Sequence, residues 1–136
     1  MTSDTEKMLR GDETVGPQCI FIVEDEFLVA FEMADLLEDL GFNVVGPSVH
    51  LADAMEKART AKIDAAFLDV NLGEDKTSKP VADILRERKI PFVFVTAYDR
   101  NEISFLMSDD QVLKKPITSE RLLSTLRKAF PDLEKK

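Results

Sequence analysis

The chain has 136 residues, of which 44% are hydrophobic and 32% charged, with a formal net charge of −8. That length supports one domain with a real core, and the negative charge argues against nucleic acid as a direct partner. No apolar stretch approaches the roughly 20 residues of a membrane span, and residues 1–18 contain no apolar signal-peptide segment. The single cysteine, Cys19, excludes an internal disulfide and suits a reducing compartment, which points to the cytoplasm. It opens an apolar run, so a buried inert thiol is expected there. His50 is the only histidine, which gives little support to a histidine-rich metal site or a Ser-His-Asp triad. The acidic excess reads first as a solubility feature and, more sharply, as material for a cation site.

Residues 1–17 form a charged, aperiodic leader ending at Gly16-Pro17. From Cys19 onward, apolar runs and helical patterns alternate. The first run, Cys19-Ile-Phe-Ile-Val, ends on Glu24-Asp25. A helix is predicted over about residues 26–40, with Phe27, Ala30, Phe31, Ala34 and Leu37 on its inner stripe and Gly41 as its stop. Residues 42–49 read as a strand broken at Gly46-Pro47, hence an edge strand. A second helix spans about 51–61, with Ala54, Met55 and Ala58 on one face. The run Ala65-Ala-Phe-Leu ends on Asp69 and leads into a loop over 70–77. Ser78 is placed to cap a third helix running to about Arg88, with Pro80 in its tolerant first turn. The run Phe92-Val-Phe-Val ends on Thr96. Residues 99–110 are weakly patterned and predict only a short or frayed helix. Val112 to Lys114 is the fifth strand, followed by Lys115-Pro116, whose peptide is a candidate for the cis form. Thr118 or Ser119 caps a last helix carrying Leu122, Leu123, Leu126, Ala129 and Phe130. Pro131 ends it. The expected organisation is a leader over 1–17, a folded domain over 18–131 and a charged tail over 132–136.

Continuous apolar runs of this length are the mark of parallel strands buried on both faces. Five of them alternating with five helices predict an α/β, flavodoxin-like, doubly wound five-stranded parallel sheet of order 2-1-3-4-5, with the fourth helix short or mobile. Ligands bind such sheets at the carboxyl ends of the strands. In this order Glu24 and Asp25 become neighbours of Asp69. Crowded carboxylates repel unless a cation neutralises them, and a hard oxygen site of this kind suits Mg²⁺ or Mn²⁺. Asp69 can then act as a nucleophile toward a phosphoryl group, with Lys115 supplying fixed positive charge and Thr96 a hydroxyl. Taken singly, each residue has a plainer reading: acids at strand ends cap helices or stay solvated, a strand-final threonine serves a turn, and a lysine in a polar stretch is solvated. The specificity comes from their order, with each following a buried strand.

The segments Val23-Glu24-Asp25-Glu26, Leu68-Asp69-Val70-Asn71-Leu72, Val95-Thr96-Ala97 and Lys114-Lys115-Pro116 together resemble the receiver domain of two-component response regulators. The resemblance covers about residues 19–130. It implies that Asp69 accepts a phosphoryl group from a phosphohistidine on a histidine kinase or histidine phosphotransfer protein. It implies that Asp25, Asp69 and the backbone carbonyl of Asn71 hold Mg²⁺, with Glu24 acting through water. Lys115 and Thr96 would contact the phosphoryl oxygens. Such a domain is a signalling protein that catalyses its own phosphotransfer and dephosphorylation, not an enzyme acting on a separate substrate. Kinases meet receivers through the first helix and the loop near the lysine, which makes Phe27, Leu28 and Phe31 candidates for a docking patch, with Phe31 expected in the core.

Two departures from the family pattern stand out. The usual aromatic switch residue three positions before the lysine is Val112 here, and valine cannot perform the ring rotation; Tyr98 is a candidate replacement, with a structural packing role as the alternative. Residues 91–98, Pro-Phe-Val-Phe-Val-Thr-Ala-Tyr, resemble an atypical subgroup with a Phe-Ala-Thr-Gly motif, with Val95 and Ala97 in place of its Ala and Gly. The weak 99–110 segment is the expected switching element. The chain reads as a stand-alone receiver that relays phosphate, drains it, or binds a downstream protein target; a piece of a larger regulator is the alternative. Two other classes compete. A Mg²⁺-dependent phosphohydrolase with an aspartyl-phosphate intermediate would need an acid two residues after Asp69, where this chain has Asn71. A phosphorylation-independent binding module would have no need of the intact acids, Thr96 and Lys115.

Overall fold

The structure, a computed structural model, describes residues 18–134; the expected leader over 1–17 lies outside them. In chain order the elements are β1 (Cys19–Val23), α1 (Phe27–Asp39), β2 (Asn43–Ser48), α2 (Leu51–Thr60), β3 (Ala65–Asp69), α3 (Lys79–Glu87), β4 (Phe92–Thr96), a 3₁₀ turn (Arg100–Glu102), β5 (Gln111–Lys114), α4 (Ser119–Ala129) and a closing 3₁₀ turn (Pro131–Glu134). The five strands form one parallel sheet of order β2-β1-β3-β4-β5. This is the flavodoxin-like arrangement expected from the alternation of runs and helices. Where the fourth helix was expected to be short, one 3₁₀ turn stands.

The continuous apolar runs are explained by two cores, one on each side of the sheet. Ile20 and Ile22 of β1 face one core with Phe67, Val93 and Val95, covered by α1 and α4 through Met33, Leu37, Leu122 and Leu126. Phe21 and Val23 face the other with Leu68 and Phe94, covered by α2 and α3 through Ala54, Ala58, Val81 and Leu85. A strand with both alternating faces in a core has no position left for a polar side chain. The irregular backbone after the 3₁₀ turn completes the second core with Ile103, Phe105 and Leu106, and Phe105 meets Phe94 edge-on at 5.6 Å. Val112 packs here as well.

β2 is an edge strand, as Gly46-Pro47 implied. Gly46 has φ +92, and a Cβ there would lie 2.7 Å from the Ser48 nitrogen, so no other residue fits the bulged register between β1 and β2. The Gly46-Pro47 and Lys115-Pro116 peptides are cis.

Three expectations are corrected. The buried stripe of α1 is Ala30, Met33, Ala34 and Leu37; Phe31 is 54% exposed and stacks on the exposed Phe27. The helix is rotated relative to the sequence stripe, with Met33 taking the inward position expected of Phe31. Ser78 is the residue before α3, yet its hydroxyl caps nothing and, although it is fully buried, has no hydrogen-bond partner among the described residues. Thr118 does cap α4, accepting from the Arg121 nitrogen at 3.1 Å. Cys19 is half-buried, not enclosed. In the closing 3₁₀ turn Leu133 is buried against the α4 side; residues 135–136 of the expected tail lie outside the described residues.

Candidate functional site

Hydrogen bonding between strands continues past their regular ends and aligns the polar residues that follow. The Glu24 nitrogen donates to the Ser48 carbonyl at 3.0 Å, and the Lys115 nitrogen donates to the Thr96 carbonyl at 2.8 Å. Asp69 pairs in register with Val95, one residue before Thr96. The carboxyl edge of the sheet therefore carries Glu24, Asp25, Asp69, Thr96 and Lys115 side by side.

Glu24, Asp25 and Asp69 each present a carboxylate oxygen within 4.8 Å of the others. Glu24 and Asp69 are buried, at 1% and 5% exposure, while Asp25 is half-buried. Lys115 reaches over them. Its Nζ lies 3.2 Å from Glu24 Oε1, 3.4 Å from Glu26 Oε1 and 3.5 Å from Asp69 Oδ1. Although Glu24 Oε1 is that close to an ammonium, it accepts no well-directed hydrogen bond; Glu24 Oε2 accepts from the Glu26 nitrogen at 3.1 Å.

The electrostatics follow from this crowding. Burial, then the neighbouring Glu24 charge, push the Asp69 carboxyl up to about 9, against the opposing pull of Lys115. Burial works against the charge on Lys115, but the carboxylates of Asp69, Glu24 and Glu26 outweigh it and raise its pKa. One ammonium does not balance three inward carboxylates. A buried Glu24 oxygen without a well-directed hydrogen bond and an Asp69 carboxyl raised by burial and its acid neighbour are features of a site built for a cation. The donor set fits a hard divalent cation.

The loop after β3 is shaped to this pocket. Gly73, Glu74 and Asp75 all have positive φ, turning the chain so that Asn71 and Thr77 bridge antiparallel. Gly73 has φ +78, which favours glycine, and it lies beside Asp25, whose Oδ2 would be 3.4 Å from a Cβ there, an ordinary contact. The Asn71 side chain is exposed, and Asn71 shares a groove with Val70 and Tyr98. Thr96 is 2% exposed, and its hydroxyl accepts from the Tyr98 nitrogen at 3.0 Å. Tyr98 itself is half exposed.

Beyond Thr96, side-chain bonds hold the 98–110 segment. Arg86 of α3 grips Asp110 through two bonds of 2.8 and 2.9 Å while lying over the Phe92 ring. Arg100 donates to the carbonyls of Met107 and Asp110, and Lys114 pairs with Asp99. Sequence reasoning missed both Arg86–Asp110, whose partners are 24 residues apart, and the contact of Glu26 with Lys115. The second had a signal: Glu26 directly follows an acid pair whose helix starts at the same strand end.

A 2-1-3-4-5 parallel sheet with an acid cluster and a lysine at its carboxyl edge is the arrangement of a receiver-type signalling domain. The comparisons agree. Residues 20–127 match the response regulator receiver domain, and the chain belongs to that family. It is 34% identical to the sensory transduction protein LytT of Bacillus cereus over 114 residues, which cover 80% of this chain and 46% of LytT. The solution structure of SdrG from Sphingomonas melonis Fr1 is 38% identical, with a TM-score of 0.71, over 86% of this chain and 96% of SdrG. A response regulator receiver protein from Sinorhizobium medicae superposes with a TM-score of 0.74 at 26% identity, over 87% and 98% of the two chains. The chain thus spans about half the length of curated relatives such as LytT and nearly all of SdrG. Acidic pockets of this family typically bind Mg²⁺. Among the described residues, no helix is long and apolar enough to cross a membrane.

Proposed function

We propose that this chain is a cytoplasmic phosphoacceptor receiver in which Asp69 takes a phosphoryl group from a phosphohistidine of a histidine kinase or histidine phosphotransfer protein. The observation that carries the reading is the setting of Asp69: a buried carboxylate 3.5 Å from Lys115 Nζ and within metal-sharing distance of Glu24 and Asp25. In the reaction an Asp69 oxygen attacks phosphorus, the bond from phosphorus to the imidazole nitrogen breaks, and its electron pair leaves with the imidazole. Asp25, Asp69 and the Asn71 carbonyl would hold the divalent cation, and Glu24 would reach it through water. When bound, that cation neutralises the carboxylate crowd and screens Asp69 from the incoming anion. Lys115 follows the phosphoryl oxygens with its ammonium. Thr96 keeps the Tyr98 nitrogen as donor and turns its own O–H toward the phosphoryl group.

Phosphorylation then alters binding to a downstream protein or passes the phosphoryl group onward. The 98–110 segment is the element it biases, because Tyr98 is tied directly to the Thr96 hydroxyl. The test is incubation with acetyl phosphate and Mg²⁺ followed by intact-mass measurement. A single phosphoryl adduct that disappears in Asp69→Asn and on chelation is expected. Wild-type protein without an adduct, or an adduct surviving in Asp69→Asn, defeats the reading.

A further inference from the structure

Three carboxylates surround the Lys115 ammonium, and only two of them belong to the acid cluster. Glu26 is the third. Its side chain is 64% exposed, yet its Oε1 lies 3.4 Å from Lys115 Nζ, slightly closer than the 3.5 Å from Nζ to Asp69. Glu26 is the N-cap residue of α1, but its side chain makes no capping bond. Its carboxylate is therefore not committed to the helix. Glu24 and Asp69 have a separate destination for their charge, because both line the cation site. Once a cation is bound there, Glu26 is the negative charge still directed at Lys115.

From this we infer that Glu26 is a positioning residue that restrains Lys115. Resting on the reading of Asp69 as phosphoacceptor, it competes with the incoming phosphoryl oxygens for the same ammonium and slows their capture. The restraint is a ground-state contact: Lys115 must leave Glu26, or share itself, to follow a phosphoryl group on Asp69. Removing the competitor frees the lysine without touching the acid cluster, Thr96 or the Lys115 side chain. Such a partly exposed ion pair is worth a small factor, and salt screens it.

The experiment compares initial phosphorylation rates with acetyl phosphate and Mg²⁺, followed by intact mass, in wild type, Glu26→Gln, Lys115→Gln and the double variant. Glu26→Gln is expected to react about two- to fivefold faster than wild type, the size of an exposed pair. In the Lys115→Gln background the same change is expected to have no effect, because the competitor then has nothing to hold. Equal acceleration in both backgrounds would mean that Glu26 acts only as a nearby negative charge, and would overturn the inference. An unchanged or slower Glu26→Gln would overturn it too. The contact is also read without phosphoryl chemistry: the Lys115 side-chain methylene signals in the metal-free protein are expected to shift in Glu26→Gln, and unchanged signals would count against the restraint. Wild-type protein that forms no adduct sinks the phosphoacceptor reading itself, a different result from an adduct whose rate ignores Glu26.

Discussion

A carboxyl held near 9 inside a cluster of acids couples metal binding to a proton. Burial and the Glu24 charge make Asp69 hold a proton more tightly than a free carboxyl does, so a divalent cation bound there is expected to compete with that proton. Calorimetric titration in buffers of different ionisation enthalpy is expected to show proton release on Mg²⁺ binding near pH 7 in wild type and less in Asp69→Asn. Stability follows from the direction of the shift. A carboxyl raised from 3.8 to about 9 favours the folded state only while protonated, so its contribution is complete below the ordinary carboxylate range and lost as pH rises through that window. Metal-free Asp69→Asn is therefore expected to melt higher than metal-free wild type at neutral pH, with the gap widening toward pH 9. Added Mg²⁺ should raise the melting temperature of wild type far more than that of the variant. Melting curves in chelator and in Mg²⁺ check both points.

At the scale of an element, the connection between β4 and β5 does the work of a helix with little regular structure. Its sequence has no stripe longer than a turn, which is why only a weak helix was legible; its order comes from Asp110. That carboxylate is 6% exposed and receives Arg86 bidentately. Burial opposes its charge, but the bonds from Arg86 and the Met107 nitrogen outweigh it and lower its pKa. Asp110→Asn is expected to cost about 3 kcal/mol, the low end for breaking a buried pair because Arg86 retains some solvent contact. With a lowered pKa, the contribution of Asp110 is present above the ordinary carboxylate range and lost as pH falls through its folded value. The stability gap between wild type and variant should thus close in acid, as urea titrations across pH would show. If this segment is the switching element, amide exchange over 98–110 changes on phosphorylation, while α1 keeps its protection; identical exchange in both states would sink that assignment.

For the molecule as a whole, the strands, their order and the polar residues at their ends were readable because a doubly covered strand must be apolar throughout and must stop where solvent begins. The same rule could not rotate α1 correctly, since Phe27 and Phe31 fit a buried stripe as well as Met33 does, and Ala30, Ala34 and Leu37 belong to either choice. Nor could it find Arg86–Asp110 or Ser78, whose partners, or lack of one, are fixed by distant chain. Phosphotransfer profiling against the histidine kinases of the source organism is expected to single out a small set of efficient donors. Substituting the exposed Phe27 and Leu28 by serine should slow transfer from those donors while leaving acetyl phosphate labelling unchanged.

The two cores also divide the surface. Asp69 sits at the seam, with α1 and α4 on one side of the sheet and the Arg86-anchored connection on the other. A donor that docked on α1, as the exposed Phe27 and Leu28 invite, would cover only the first side and leave the second open, so loading and readout would not have to take turns: a target recognising the 98–110 side could be in place when the phosphoryl group arrives.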